Sequence, residues 1–239
     1  MKIKIIPCLK DNYSYLIIDE KKNTACVIDP SESEPIIRYL ENNKIDLKFI
    51  LNTHHHYDHV GGNQKLKEKY NAKIIGFQED KDRIPGIDIL VDDQEIWENE
   101  NFVAKIIHIP GHTLGHICFY FFNNKLVFTG DTLFSLGCGR IFEGTNLQMY
   151  ESLKKIKELP KDTKVFCGHE YTLNNSEFCL IHDQNNDNLK NKIKEIKKKV
   201  QNNLPTVPST IKEELECNIF LRSKNVESFS KLRDLKDNF

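Results

Sequence analysis

The segment from Asn52 to Gly62, NTHHHYDHVGG, sets His54, His56, Asp58 and His59 within six consecutive positions. Imidazoles and carboxylates share one capability, the donation of lone pairs to divalent metal ions. Packing does not account for such a cluster, because burying that much polar surface without a partner is costly, and a cation supplies the partner. Alternate residues of an extended segment point to one side, which predicts that His54, His56 and Asp58 converge while His59 turns toward a second centre. Two neighbouring metal ions follow. Gly61 and Gly62 then let the backbone turn sharply into a helix.

Four donors do not complete two sites, so further imidazoles and carboxylates are expected at strand ends. His112 lies in IPGHTLGH after the run VAKII, Asp131 ends KLVFTGD, and His169 ends KVFCGHE. Each sits beside a glycine at one edge of an inferred sheet, where a layered α/β fold presents its functional loops. His55, His108, His116 and His182 receive no ligand role; His55 is expected to face away from the metals, and His116 at most to steady a ligand.

Short strand-like runs alternate with helix-like runs over the first two thirds of the chain, the pattern of an α/β layered domain. Strands are expected over residues 2–6, 13–18, 24–28, 47–51, 73–77, 102–107, 117–122, 125–128 and 164–167, many rich in β-branched and aromatic residues. Helical spacing marks residues 35–42, 63–70 and 149–158, with Ser33 as N-cap of the first. After Tyr171 the strand signals stop. Residues 174–204 are polar, with Ile193, Ile196 and Val200 along one helix face; Pro205 and Pro208 end that run, and Thr210 opens another. A domain boundary is placed there: residues 1–170 form a catalytic domain and residues 171–239 a helical one.

A chain of 239 residues with 39% hydrophobic and 29% charged composition suits a globular enzyme, and no apolar run is long enough to span a bilayer. The apolar stretch before Pro7 is too short for a signal peptide, so the N-terminus reads as a first strand. Seven cysteines without CxxC spacing indicate reduced thiols and a cytoplasmic protein. A net charge of -1 offers nucleic acid no general attraction, and the basic run LKNKIKEIKKKV reads as a solvated helix face.

HxHxDH followed by His112, Asp131 and His169 resembles the metallo-β-lactamase superfamily, whose fold is a four-layer αββα sandwich. The resemblance implies that His54, His56 and His112 hold one ion, that Asp58, His59 and His169 hold the other, and that Asp131 bridges them. Asp29, at the end of TACVIDP, resembles a carboxylate that orients a ligand imidazole. GDTLFSLGCGRIFEGT and CGHEYTLNN further resemble glyoxalase II, whose helical C-terminal domain binds glutathione. That likeness implies hydrolysis of S-D-lactoylglutathione to glutathione and D-lactate, the second step of methylglyoxal detoxification. It implies two divalent metals, zinc foremost with iron or manganese able to use the same donors, and Asp58 and Asp131 as catalytic carboxylates working with a hydroxide. Arg233 and Lys236, three apart near the C-terminus, match the pair that grips the glycine carboxylate of glutathione, and Arg140 and Tyr171 match other contacts. Phe142 stands where relatives often carry a tyrosine, which removes one hydroxyl contact, and Tyr57 replaces a common tryptophan. The implied partner is a small S-acylglutathione bound by a monomer, with no nucleic acid and no membrane. The strongest rival is a mononuclear iron persulfide dioxygenase of the same fold; a non-catalytic metal-binding protein is a third reading.

Overall fold

Runs such as YLIID and ACVI carry apolar residues at consecutive positions, which suits strands covered on both faces. The structure, a computed structural model, describes residues 1–239 and divides into two units, residues 1–108 with 115–124 and residues 109–114 with 125–239. The first unit contains β1 (Lys2–Cys8), β2 (Asn12–Asp19), β3 (Thr24–Ile28), α1 (Ser33–Asn43), β4 (Asp46–Leu51), α2 (Tyr57–Val60), α3 (Asn63–Tyr70), β5 (Lys73–Phe77), β6 (Ile89–Val91), β7 (Ile96–Asn99), β8 (Phe102–His108) and β9 (Ile117–Phe121). Strands β1 to β6 form one sheet in sequence order, antiparallel through β3 and parallel from β3 to β6.

Both faces of that sheet are used. Leu16, Ile18, Val27, Ile50 and Ile74 cluster with Ile36 and Leu40 of α1 and Leu66 of α3. Each such aliphatic side chain contributes roughly 1.5–3 kcal/mol by leaving water. Phe49, in the alternate register of β4, meets Trp97 of β7 and Phe102 of β8 edge-on, with ring centroids 5.2 and 6.2 Å apart. These rings join the sheet to the antiparallel β7–β8–β9 meander. The N-cap of α1 is Glu32, one residue before the Ser33 that the sequence suggests, so Ser33 is its first helical residue.

The second unit contains β10 (Leu126–Gly130), β11 (Leu133–Phe134), β12 (Gly137–Cys138), α4 (Asn146–Lys157), β13 (Lys164–Cys167), α5 (Thr172–His182), α6 (Asp187–Gln201), β14 (Ser209–Thr210), α7 (Ile211–Cys217) and α8 (Val226–Asp237). Strands β10 and β13 are parallel, β14 is antiparallel to β13, and β11–β12 is a hairpin. Capping boxes at Thr145/Gln148, Thr210/Glu213 and Asn225/Ser228 satisfy the first amide groups of α4, α7 and α8. The single polar run expected over residues 174–204 is two helices, because Asn186 breaks it and caps α6 by accepting from the Leu189 amide. α6 buries Leu189, Ile193 and Ile196; Val200 continues the same face but is exposed at the last turn of the helix.

Two packing contacts position the Pro110–Gly111 loop and the β11–β12 hairpin. Helix α4 lies against the Pro110–Gly111 loop: Ser152 Oγ donates to the Pro110 carbonyl at 2.7 Å, and a Cβ on Gly111 would come within 2.8 Å of the Met149 Cβ. The hairpin is held by Glu214 of α7, fully buried, whose Oε2 accepts from the Leu136 amide and from Asn218 Nδ2, both at 2.9 Å. Burial pushes the Glu214 carboxyl above its ordinary range. A carboxyl that ionises later in the folded chain than in the unfolded chain costs stability as pH rises above the unfolded pKa. Glu214→Gln keeps an acceptor for both donors, so the variant is expected to gain denaturant resistance relative to wild type as pH rises from below the ordinary glutamate range to neutrality. A stability difference independent of pH would refute this.

Candidate metal centre and pocket

The parallel pairing of β3 and β4 ends with Ile28 opposite Leu51, and the Asp29 amide donates to the Leu51 carbonyl at 3.0 Å. Asp29 therefore emerges beside Thr53. It adopts φ 45°, a left-handed conformation that Asp and Asn tolerate better than most residues. Its Oδ1 accepts from the Thr53 amide at 2.8 Å, and its Oδ2 accepts from Thr53 Oγ1 at 2.7 Å and from His59 Nδ1 at 3.1 Å. Because the Thr53 hydroxyl proton goes to Asp29, its oxygen accepts from His54 Nδ1, 3.0 Å away. Both imidazoles thus carry a proton at Nδ1 and present the Nε2 lone pair, the state of a metal ligand.

The ligand loop is not extended throughout. Tyr57 begins the single turn α2, so Asp58 and His59 leave the alternating register, and the His59 ring lies 4.1 Å from that of His54 instead of turning away from it. His56 approaches His54 at 4.8 Å, and His116 stacks on His54 at 4.6 Å with 18° between planes. Asp58 Oδ2 accepts from Asn12 Nδ2 at 2.9 Å and lies 3.5 Å from His59 Nε2. With the His59 proton at Nδ1, two lone-pair atoms face each other there, an arrangement a cation stabilises. His55 donates from Nδ1 to Asp80 Oδ2 at 3.2 Å, and Arg83 Nε donates to Oδ1 of the same fully buried carboxylate at 2.9 Å. A Cβ on Gly115 would overlap that carboxylate. Asn12 and Asp80 are polar residues without motif spacing, so nothing in the sequence marks them.

The second unit repeats the geometry. Strands β10 and β13 end with Gly130 opposite Cys167, and the Gly168 amide donates to the Gly130 carbonyl at 2.9 Å. Asp131 and His169 are thereby neighbours, with Oδ2 and Nε2 3.2 Å apart. His112 donates from Nδ1 to the Arg140 carbonyl at 2.7 Å, and its Nε2 lies 3.6 Å from the same Asp131 oxygen. A carbonyl can only accept, which fixes the tautomer, so again an imidazole lone pair opposes a carboxylate oxygen. Tyr171 stacks face to face on His169 at 4.7 Å and 6°, and Phe142 meets His112 edge-on at 5.2 Å.

The donors, His54, His56, Asp58 and His59 in the first unit and His112, Asp131 and His169 in the second, are imidazoles and carboxylates of the type divalent metals take. The thiols are of a different kind. All seven cysteines are buried and unbridged, and burial pushes the Cys167 thiol up to about 12, which keeps it from acting as a thiolate nucleophile.

A cavity of about 400 Å³ in the second unit is lined by His112 and Asp131 together with Arg140, Tyr171, Arg233 and Lys236. Phe142 is 61% exposed and also lines it. Arg233 and Lys236 share a face of α8 but differ in kind. Arg233 is 5% exposed; its Nη1 donates to the Cys138 carbonyl at 2.7 Å and its Nη2 to Asp237 Oδ1 at 3.0 Å. Lys236 donates to Asn174 Oδ1 and lies over the rings of Phe178 and Phe239 at 5.2 and 4.6 Å. Burial and, secondarily, the Arg233 charge push the Lys236 ammonium down to about 8. Arg140 reaches Asp237 at 3.3 Å.

A family model described as the metallo-beta-lactamase superfamily matches residues 10–169. ETHE1 from Myxococcus xanthus has a TM-score of 0.75 at 25% identity, covering 98% of this chain and 90% of that one. TTHA1623, crystallised in a di-iron-bound form, has a TM-score of 0.59 at 26% identity, covering 71% and 92%. The class is thus the metallo-β-lactamase fold expected from the sequence, with mixed α/β sheets and a helical C-terminal region. A model described as the hydroxyacylglutathione hydrolase C-terminus matches residues 170–239, and a hydroxyacylglutathione hydrolase of Pelagibacter ubique (strain HTCC1062) is 73% identical over 100% of both chains. The chain belongs to the hydroxyacylglutathione hydrolase family of that superfamily.

Asp29 orients two imidazoles through hydrogen bonds that depend on its charge. Asp29→Asn keeps the size and the tolerated backbone conformation, and is expected to lower metal affinity about ten- to hundredfold in a chelator competition, with the fold retained. Unchanged affinity would show that Asp29 does not orient the ligands.

Proposed function

We propose that the protein hydrolyses S-D-lactoylglutathione to glutathione and D-lactate, the second step of methylglyoxal detoxification. The observation that carries this reading is one small-molecule-sized pocket whose walls hold both metal-type donors, His112 and Asp131, and cations suited to a carboxylate tail, Arg140 and Lys236. The 73% identical hydroxyacylglutathione hydrolase and the matching C-terminal family model favour it over a mononuclear iron dioxygenase.

In this reading His54, His56 and His112 would hold one ion and Asp58, His59 and His169 the other, with Asp131 as the carboxylate that would serve both. Zinc is the first choice, with iron or manganese able to use the same donors; the di-iron-bound form of TTHA1623 supports a paired site. Such a pair, when bound, supplies an activated water and positive charge for the oxygen on which negative charge develops. Asp58, held by Asn12 through a hydrogen bond to its carboxylate, would take the proton of that water. Tyr171 and Phe142 hold the His169 and His112 rings and cover them with apolar surface. Lys236, the largely exposed Arg140 and Arg233, whose buried guanidinium also holds the Cys138 carbonyl, take the glycine carboxylate of glutathione. The residues divide into a catalytic region, 1–170, and a glutathione-binding region, 171–239. The protein acts as a monomer in the cytoplasm, a reducing compartment that suits seven buried, unbridged thiols. No helix is long and apolar enough to cross a membrane.

Purified protein is expected to hydrolyse S-D-lactoylglutathione, to lose that activity to a chelator and to recover it with zinc. Asp131→Ala is expected to lose both activity and paired metal; two tightly held ions in that variant would overturn the bridging role. Oxygen uptake with glutathione persulfide and one iron per chain would overturn the hydrolase reading itself. Lys236→Ala is expected to raise KM roughly ten- to hundredfold, the range for a charged hydrogen bond, with a smaller change in kcat. Because the ammonium is charged only below about 8, KM of the wild type is expected to rise as pH passes that value. The rise should disappear in Lys236→Arg, and its persistence there would assign it to another group.

A further inference from the structure

The cations of the pocket already face an anion. Asp237 Oδ1 lies 3.0 Å from Arg233 Nη2 and 3.3 Å from Arg140 Nε, and the Asp237 carbonyl accepts from Arg140 Nη2 at 3.4 Å. All three residues line the cavity. Asp237 is the last residue of α8, where the helix dipole disfavours a carboxylate, and the two guanidinium groups are the cations that lie against it there. The two pairs are unequal. Arg233 is anchored in the interior, with a buried Nε that no protein acceptor meets, whereas the Arg140 side chain is 56% exposed and its bonds to Asp237 are long.

We propose that Asp237 is a specificity-determining residue: an internal carboxylate that competes with the ligand's tail carboxylate for Arg140 and Arg233, and is displaced when that tail binds. This inference rests on the reading of the pocket as a glutathione site. The Asp237 side chain is 37% exposed, so it can leave Arg140 without opening the interior. The competition has a chemical use. The tail is remote from the reacting carbon, so contacts to it bind substrate and the glutathione product alike, and tightening them slows product release without assisting the chemistry. An internal anion sets that affinity lower while leaving the pocket selective for a ligand that brings a carboxylate of its own.

The test is calorimetry on the metal-loaded protein with S-methylglutathione, an inert thioether, and with the same compound amidated at its glycine carboxylate. Asp237→Asn and Asp237→Ser are expected to bind the carboxylate form about three- to tenfold more tightly than wild type, the scale of one or two partly exposed ion pairs. The amidated form is expected to bind all three proteins alike. Unchanged or weaker binding of the carboxylate form would overturn the proposal, as would failure of both variants to fold, since Asp237 would then be a support and not a competitor. If the wild type binds neither compound, the glutathione reading of the pocket fails; if it binds the carboxylate form and the variants gain nothing, only the role of Asp237 fails.

Discussion

Parallel strand pairing is the constraint on which the metal-type donors depend. In a parallel pair both strands end at the same edge of the sheet, so residues that follow the strands are delivered side by side. The opposition of Ile28 and Leu51 brings Asp29 against Thr53, and that of Gly130 and Cys167 brings Asp131 against His169. The hydrogen bonds that follow act on protons. Asp29 takes the hydroxyl proton of Thr53, Thr53 then accepts from His54, and Asp29 also accepts from His59. One carboxylate thereby fixes two imidazole tautomers. The Arg140 carbonyl does the same for His112. Imidazoles locked with the proton at Nδ1 present lone pairs, and lone pairs set against the oxygens of Asp58 and Asp131 ask for positive charge. Metal affinity is thus built from backbone register as much as from the ligands themselves.

Much of this is legible in the sequence, for identifiable reasons. The strands on which the donors depend are apolar runs covered on both faces, and seven of the nine expected strands begin and end within one residue of those observed, as for residues 24–28 and 73–77. The donor cluster at His54, His56, Asp58 and His59 is dense enough to identify itself. Hidden features have local causes. β6, β11, β12 and β14 span two or three residues each, too short for any periodicity to appear. The helical turn at Tyr57 replaces the extended register because tertiary position, not local alternation, decides where His59 goes. Asn12, Asp80 and Glu214 act only through partners distant in sequence, to which composition and spacing are blind.

Arg233 illustrates a different limit. Spacing alone puts it beside Lys236 on one helix face and suggests two equivalent cations. Burial separates them. Arg233, always charged, is taken into the interior because the Cys138 carbonyl and Asp237 accept from its two terminal nitrogens and the Phe220 ring lies 5.3 Å away. Lys236 has an amide oxygen and two rings for company, and its charge is consequently easier to lose. The residue nearer water is therefore the titratable one, and the residue deeper inside is the permanent charge.

That arrangement separates recognition from chemistry within the cavity. The donors His112 and Asp131 lie where strand-end loops fix them, while the cations sit on the last helix and on the loop that follows the β11–β12 hairpin. Glu214 secures that hairpin from beneath, and Arg140, a few residues further along, supplies both the carbonyl that sets the His112 tautomer and a side chain that faces the pocket. One short segment consequently bears on both functions through different atoms: its backbone tunes a metal-type donor, and its side chain meets the anionic tail. Substitution of the Arg140 side chain leaves the carbonyl in place, so the two contributions can be separated by chemistry even though they belong to one residue.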